Sequence, residues 1–209
     1  YGFDIYCLNI TADIGVPNFA AVIIDKSGKG PRFSLGAGCQ ADPAKALRRA
    51  LQEAWSVYHW MSPRPPYRLP EPYQPFRNHS IDQDERLRLW VNPEMAEEYS
   101  FFLKGEKRNF YELEFDFPKE FSSPKHELSF LVERVESRGR GYEVYAFLPR
   151  HPILSRLGYH SAKVVVPQLV PLYLNEIHAP LGAQRLKEVP QKLGLNSAKE
   201  FCPYPHPFP

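Results

Sequence analysis

The order of apolar and polar positions predicts three strands at the start of the chain, followed by a long helix. Residues Asp4–Ile10 alternate weakly and are rich in strand-forming types, which predicts a first strand. The uninterrupted apolar run Phe19–Ile24 is typical of a strand buried on both faces. After a turn at Asp25–Pro31, residues Arg32–Leu35 predict a third, short strand. The sequence therefore predicts a unit of three strands and a helix.

The stretch Gly36–Tyr58 predicts a glycine turn that leads into an amphipathic helix. Asp42 is a favourable N-cap and Pro43 fits the first helical position. Apolar residues then recur at helical spacing, at Leu47, Ala50, Leu51, Ala54 and Tyr58. Two interpretations of Gly36-Ala-Gly38 stay open: a tight turn with close packing, or a turn whose backbone amides approach a phosphate.

The rest of the chain alternates between helical and extended patterns. Helices are predicted at Asp82–Trp90, from Asn92 onwards, at Lys125–Arg138 and at Pro152–Leu157. Strands are predicted at Tyr142–Leu148 and Ser161–Val166. Together these segments predict an α/β or α+β fold with mixed, mainly antiparallel sheets packed against helices.

Proline is unusually frequent, at 22 of 209 residues, and is concentrated in two segments. Residues 61–80 favour a surface loop, although Pro63–Pro66 and Pro72–Pro75 also have the spacing of a polyproline II ligand. The C-terminal tail, Phe201–Pro209, carries proline at every second position, at Pro203, Pro205, Pro207 and Pro209. These prolines exclude a helix, so the tail is either a disordered end or an extended segment that enters a site.

Composition and charge narrow the class of protein. Apolar residues make up 43% of the chain, charged residues 24%, and the net charge is +2. This balance predicts a soluble protein with no nucleic-acid and no membrane partner. The three cysteines have neither metal-ligand nor redox-motif spacing, so buried or partly buried thiols in a reducing cytoplasm are expected. The chain begins at Tyr1, so it is expected to be part of a longer protein.

Arg49 and Glu53 lie one helical turn apart on a flank of the predicted apolar face. Charged residues at this spacing commonly form an exposed ion pair that contributes a few tenths of a kcal/mol. The alternative is a nucleotide site, in which the guanidinium binds phosphate oxygens and the carboxylate helps to bind Mg²⁺. Spacing alone favours the exposed pair, and only the surrounding residues favour the nucleotide site.

Four segments of the chain, taken together and in order, bear on the choice between these two interpretations. They are Asp13–Val22, Gly36–Ala54, the run Ala162–Pro167 with its continuation to Arg185 and Pro190, and Pro203–Pro209. In this arrangement they resemble the YcaO family, most closely its branch that forms azolines in ribosomal peptide natural products. The resemblance covers the whole chain, 1–209, but only the C-terminal part of a YcaO domain.

This resemblance implies an ATP-dependent cyclodehydratase. In such an enzyme a Cys, Ser or Thr side chain of a precursor peptide attacks the preceding amide carbonyl. ATP phosphorylates the resulting hemiorthoamide oxygen, and its departure leaves a thiazoline or an oxazoline. The implied cofactors are ATP and Mg²⁺, and the implied location is the cytoplasm.

The resemblance also assigns residues. Arg49 and Glu53 match the family's Arg-x-x-x-Glu in the ATP site, with Arg49 on phosphate oxygens and Glu53 on Mg²⁺. The prolines of the tail match a C-terminus that the family places near the active site and needs for cyclisation: Pro203, Pro205, Pro207 and Pro209. Ser56 and Pro167-Gln168 depart from the family pattern, in which Gln and Pro-Gly are frequent at these positions.

Partners are implied as well. They are the precursor peptide, an E1-like (ocin-ThiF-like) protein, the N-terminal half of the YcaO domain and a second copy of the chain. The family's remaining nucleotide-binding residues lie in that N-terminal half, so the 209 residues alone are expected to be inactive. The alternative function is a non-catalytic docking scaffold that binds the E1-like partner and the precursor peptide.

Overall fold

Three antiparallel strands and a long helix form the centre of the molecule. The computed structural model describes residues 2–69, 73–77, 82–118, 120–196 and 200–209. Strands β1 (Phe3–Asn9), β2 (Asn18–Asp25) and β3 (Phe33–Cys39) form one sheet in the order β1-β2-β3, and helix α1 (Pro43–Met61) follows. The predicted unit of three strands and a helix is therefore confirmed.

Strand β2 lies in the middle of the sheet and is covered on both faces. Its residue Val22 is paired with Tyr6 of β1 and with Leu35 of β3. Successive side chains of a strand point to opposite faces, and those of Ala20, Ala21 and Val22 are all fully buried. Two covered faces explain why this strand reads as a continuous apolar run.

Helix α1 covers one face of the sheet. The Asp42 carboxylate caps it by accepting bonds from the amides of Ala44, at 2.8 Å, and Lys45, at 3.1 Å. Where it crosses the sheet, its fully buried positions are Ala46, Ala50 and Ala54, and nearer its end Val57 and Met61 are buried as well. The larger residues that the periodicity emphasised, Leu47, Leu51 and Tyr58, are only half-buried. The buried stripe is thus centred on alanines, because α1 lies very close to the sheet.

Gly36 and Gly38 belong to β3, so the predicted glycine turn is wrong. A side-chain carbon at Gly36 would lie 2.6 Å from the carbonyl oxygen of Ala50. One at Gly38 would lie 2.8 Å from the Ala50 amide nitrogen and still closer to the Ala46 carbonyl oxygen. Only glycine allows two backbones to approach this closely. The strand continues to Cys39 because Gly36 and Gly38 stay paired with Ala21 and Phe19 of β2. The close packing considered for these glycines is present, but within a strand.

The opposite face of the sheet is covered by residues from much later in the chain. Helices α2 (Gln83–Leu89) and α3 (Pro93–Glu98) confirm two predicted helices, and a 3-10 helix follows at Ser100–Leu103. The buried ring of Trp90 contacts Phe33 and Tyr99, with centroids 5.8 and 4.5 Å away. Three residues of the C-terminal tail, Cys202, Tyr204 and Phe208, pack against the same cluster.

The remaining described elements are short. They are α4 (Pro124–Glu136), β4 (Tyr145–Phe147), α5 (Pro152–Arg156), β5 (Lys163–Val165) and α6 (Arg185–Lys192), with 3-10 helices at Phe110–Glu112 and Glu176–His178. Helices α4 and α5 confirm predictions. β4 and β5 pair antiparallel but are shorter than predicted, and their apolar side chains are exposed. The predicted class, helices with mainly antiparallel sheets, is confirmed.

The cysteines differ from expectation. All three are free, but Cys7 and Cys39 are exposed and only Cys202 is half-buried. Cys7 lies on the edge strand β1, and Cys39 is the last residue of β3. Within the described residues no helix has the length and apolarity that crossing a bilayer requires.

Candidate functional site

Arg49 and Glu53 border a polar cavity of about 500 Å³ at the free edge of β3. The two residues stand on the flank of α1 where the helix crosses Gly36 and Gly38. The cavity is completed by the backbone of residues 37–39 and by the side chains of Gln40, Gln52 and Ser56. The close contact between strand and helix therefore places an arginine and a glutamate beside an edge of β3 that has no strand partner in the part of the chain that the structure describes.

Glu53 is fixed in place by the strand. Its Oε2 atom accepts a hydrogen bond of 2.7 Å from the backbone amide of Ala37. Among the described residues β3 pairs only with β2, so this amide on its outer edge has no strand partner there. The second carboxylate oxygen, Oε1, has no hydrogen-bond or ion-pair partner among the described residues. Glu53 thus combines one structural bond with one oxygen left for a ligand.

Arg49 is exposed and is not paired with Glu53: no ion pair joins them in the described part of the chain. The exposed ion pair that spacing alone favoured is therefore not formed. A guanidinium in this position retains all of its donors for an anion.

The cavity fits part of a Mg²⁺-nucleotide site. A guanidinium suits phosphate oxygens, and a carboxylate suits Mg²⁺, which often takes only one or two protein carboxylates besides water and phosphate. The described residues contain no group of three or more His, Cys, Asp or Glu side chains placed to hold a metal ion. Arg49 and Glu53 can therefore form one side of such a site, with further ligands needed from elsewhere.

The structure does not bring the prolines of the C-terminal tail to this cavity. Tyr204 and Phe208 pack with Val22 and Leu35, whereas α1 packs on the face that carries Ala21 and Ile23. The tail and α1 thus lie on opposite faces of the sheet. Pro205 and Pro207 are buried, Pro209 is half-buried and Pro203 is exposed.

Polar contacts hold the tail in this position. The Tyr73 hydroxyl donates to the Pro203 carbonyl oxygen at 3.0 Å. The His206 Nε2 atom lies 2.7 Å from the Tyr173 carbonyl oxygen and therefore acts as a donor. Its Nδ1 atom is buried without a hydrogen-bond partner in the described chain. Burial lowers the pKa of His206, so the neutral imidazole is favoured.

Two buried charges beside the tail were not found from the sequence. Arg86 and Glu176 are 0% and 2% exposed. Arg86 lies in a helix of mixed charged and apolar residues, and Glu176 lies in a segment without clear periodicity. No pattern marks either as buried, because their surroundings come from segments about 90 residues apart.

Two of the four segments that carry the family resemblance are in direct contact in the folded chain. The guanidinium of Arg185 forms a buried ion pair with Asp13 and donates to the Tyr142 hydroxyl at 3.0 Å. This contact joins α6 to the loop between β1 and β2. The separate motifs are thus linked by a direct contact that their distance along the chain does not reveal.

The fold and the cavity define a class: an α+β domain with a polar site between an edge strand and the helix that crosses it. The chain belongs to the YcaO family, since the family model described as YcaO cyclodehydratase, ATP- and Mg²⁺-binding, matches residues 1–170. The resemblance inferred from the sequence is confirmed. The tail and Arg185 lie outside the matched residues.

Solved structures give the same fold. A heterocyclase in complex with substrate and cofactor matches 99% of this chain with a TM-score of 0.65 and 23% identity. The heterocyclase TruD also matches 99% of it, with a TM-score of 0.60 and 23% identity. The chain spans about a quarter of these proteins, 25% and 26% of their lengths. No curated protein sequence matches the chain.

Proposed function

We propose that the chain is part of an ATP-dependent cyclodehydratase that converts Cys, Ser or Thr of a precursor peptide into thiazoline or oxazoline. The observation that carries this proposal is the cavity beside β3. There Arg49 and Glu53 are one turn apart but unpaired, so both retain groups for a ligand. The family match and the heterocyclase neighbours support the same activity.

In this proposal the nucleotide is held by one preorganised side chain, Glu53, and one free side chain, Arg49. ATP supplies the phosphoryl group that turns a poor leaving group, the amide oxygen, into a good one, and Mg²⁺ neutralises its phosphates. Arg49 binds phosphate oxygens through its free guanidinium. Glu53, held by the Ala37 amide, offers Oε1 to Mg²⁺ without having to be ordered on binding.

The tail prolines have a different role in the proposal. Pro203, Pro205, Pro207 and Pro209 act in cyclisation and not in nucleotide binding, since the tail lies on the other face of the sheet from α1. Removal of the tail is therefore expected to reduce heterocycle formation more than it weakens binding of Mg-ATP.

The site needs partners. The resemblance places the family's remaining nucleotide-binding residues in the N-terminal half of the YcaO domain, so the proposal assigns the rest of the ATP and Mg²⁺ site to that half. The precursor peptide, an E1-like protein and a second copy of the chain are the further partners, in the cytoplasm. The 209 residues by themselves are expected to be inactive.

A docking scaffold without catalysis is the second candidate. The observation that favours it is the exposed apolar surface of β4 and β5, where Tyr145, Phe147, Val164 and Val165 are each at least 50% exposed. Apolar patches of this kind commonly mark protein interfaces. A scaffold would use this surface for its partners and would not need the Arg49–Glu53 cavity.

The substitution Glu53→Gln in the full-length protein tests the proposed function. The glutamine oxygen can still accept the Ala37 bond, so the fold is preserved while the charge is lost. We expect binding of Mg-ATP, measured by calorimetry, to weaken by about tenfold or more. The amount of dehydrated precursor peptide, measured by mass spectrometry, should decrease together with Mg-ATP binding.

The neighbouring arginines provide a matched control. Arg49→Ala removes the guanidinium at the cavity, whereas Arg48→Ala removes an exposed one that does not border it. Of these two arginine substitutions, only Arg49→Ala should weaken Mg-ATP binding. Equal binding and equal product in Glu53→Gln, Arg49→Ala and the wild type would contradict the assignment of the nucleotide site to this cavity. A wild type that neither binds Mg-ATP nor forms product would favour the docking scaffold.

A further inference from the structure

The C-terminal tail rests on a loop that is itself held by a buried arginine. Arg86 of α2 donates from Nη1 to the Leu174 carbonyl oxygen at 3.0 Å. The preceding residue, Tyr173, supplies the carbonyl oxygen that lies 2.7 Å from Nε2 of His206. The Tyr173 ring also meets the His206 ring edge to face, with centroids 4.8 Å apart. A continuous series of contacts thus leads from α2 through the loop to the tail.

Among the described acidic residues that act on the charge of Arg86, Glu176 opposes the lowering of its pKa more than Asp82 does. Arg86 is fully buried, and its Nε and Nη2 atoms have no hydrogen-bond partner in the described chain. Glu176 is 2% exposed, and neither of its oxygens forms a hydrogen bond of regular geometry within the described chain, although the Tyr173 side chain lies near enough to lower its pKa. Each group shifts the titration of the other: burial raises the pKa of Glu176, and Arg86 opposes this shift. Removing one of two such charges leaves the other buried and uncompensated.

We propose that Arg86 is a positioning residue for the C-terminal tail, that its bond to the Leu174 carbonyl fixes the loop which receives His206, and that Glu176 supplies its buried counter-charge. The part of this proposal that concerns catalysis rests on the proposed function, in which the tail takes part in cyclisation. The seating of the tail is independent of that function and can be measured without any reaction.

Cys202 reports whether the tail is seated. It is the second residue of the tail and packs against the aromatic cluster that contains Trp90 and Tyr99. Burial also raises the pKa of its thiol, so release of the tail exposes the sulfur and increases its thiolate fraction. Cys7 on the exposed side of β1 serves as an internal reference in the same molecule.

The experiment measures alkylation of Cys202 and Cys7 by N-ethylmaleimide in the full-length protein, resolved by peptide mass spectrometry. Arg86→Met is expected to raise the Cys202 rate by roughly tenfold, as for loss of a buried hydrogen bond to a charged group, with Cys7 unchanged. Arg88→Met is the matched control on the same helix, since Arg88 binds Asp84 and Pro65 and not the tail loop. A Cys202 rate equal to that of the wild type in Arg86→Met would overturn the proposal.

Two further variants keep the test decisive. If Arg86→Met does not fold, Arg86→Lys retains a charge with fewer donors and should raise the Cys202 rate about threefold relative to Arg88→Lys. An unchanged rate in Arg86→Lys would overturn the proposal. Glu176→Gln should raise the Cys202 rate in the wild type but not further in the Arg86→Met background. Additive effects would show that Glu176 is not the counter-charge of Arg86.

Measuring heterocycle formation separates the two parts of the proposal, which are the seating of the tail and its effect on catalysis. With an active wild type, Arg86→Lys should lower kcat and leave the KM for Mg-ATP unchanged, since Arg86 does not border the cavity. A released tail with unchanged kcat would overturn the catalytic part of the positioning role. A wild type without any heterocyclase activity would contradict the proposed function, while the Cys202 rates would still decide whether Arg86 seats the tail.

Discussion

The two faces of the central sheet are covered in contrasting ways. On one face α1 lies directly on β3, with Ala46, Ala50 and Ala54 against two glycines. On the other face large aromatic rings and the C-terminal tail form the covering layer. The first face is set by the closeness of two backbones, whereas the second is assembled from segments far apart in sequence. A small change in volume should therefore be costly on the first face and better tolerated on the second.

The largest effect is expected for Gly38→Ala. The added carbon would collide with the backbone of α1 at Ala46, and neither backbone can move without separating strand and helix. We expect the free energy of unfolding, measured with urea, to fall by about 3 kcal/mol or more. Gly105→Ala is the control, since a carbon added there meets no atom within 4 Å. Equal losses in both variants would show that the close contact is not what stabilises this face.

A smaller loss is expected for Phe33→Leu on the opposite face. The substitution removes ring contacts to Trp90 and Tyr99 but leaves an apolar side chain that neighbouring rings can approach. We expect a loss of about 1 to 2 kcal/mol in the same urea measurement. A loss larger than that of Gly38→Ala would reverse the proposed contrast between the faces.

The smallest effect is a pH dependence of the tail. The pKa of His206 is lowered from 6.5 by burial, and Arg86 adds to this while the Tyr173 carbonyl opposes it. His206 therefore binds a proton at a higher pH in the released tail than in the seated tail. The tail is fully seated above pH 6.5, and its seating weakens as the pH falls toward the lowered pKa. The rate of hydrogen exchange of the tail amides, corrected for intrinsic rates, should increase modestly as the pH is lowered from about 7.5 to about 5.

His206→Gln isolates the imidazole in that measurement. Glutamine can donate to the Tyr173 carbonyl but does not titrate, so its tail should show no increase from this source. Glu176, whose pKa is raised by burial, acts with the opposite sign and is present in both proteins. An identical pH profile in His206→Gln and the wild type would exclude His206 as the titrating group.

The same contrast explains what the sequence could predict. The strands, α1 and its Asp42 cap follow from local patterns, and the structure confirms them. The glycine turn was wrong because Gly36 and Gly38 signal either a turn or a close approach, and only the partner helix decides between them. The buried positions of Arg86 and Glu176 and the seat of the tail depend on segments about 90 to 130 residues apart, which no local pattern encodes.

The hydrogen bond between Glu53 and the Ala37 amide has a consequence for the strand edge itself. An edge strand offers unpaired amides to any extended chain that can add to the sheet. At Ala37 that position is already taken by the Glu53 carboxylate. A peptide that extended the sheet there would have to displace Glu53 and so disturb the cavity. Strand addition at this edge and ligand binding by Glu53 therefore compete, because an added strand would take the Ala37 amide that holds Glu53 in position.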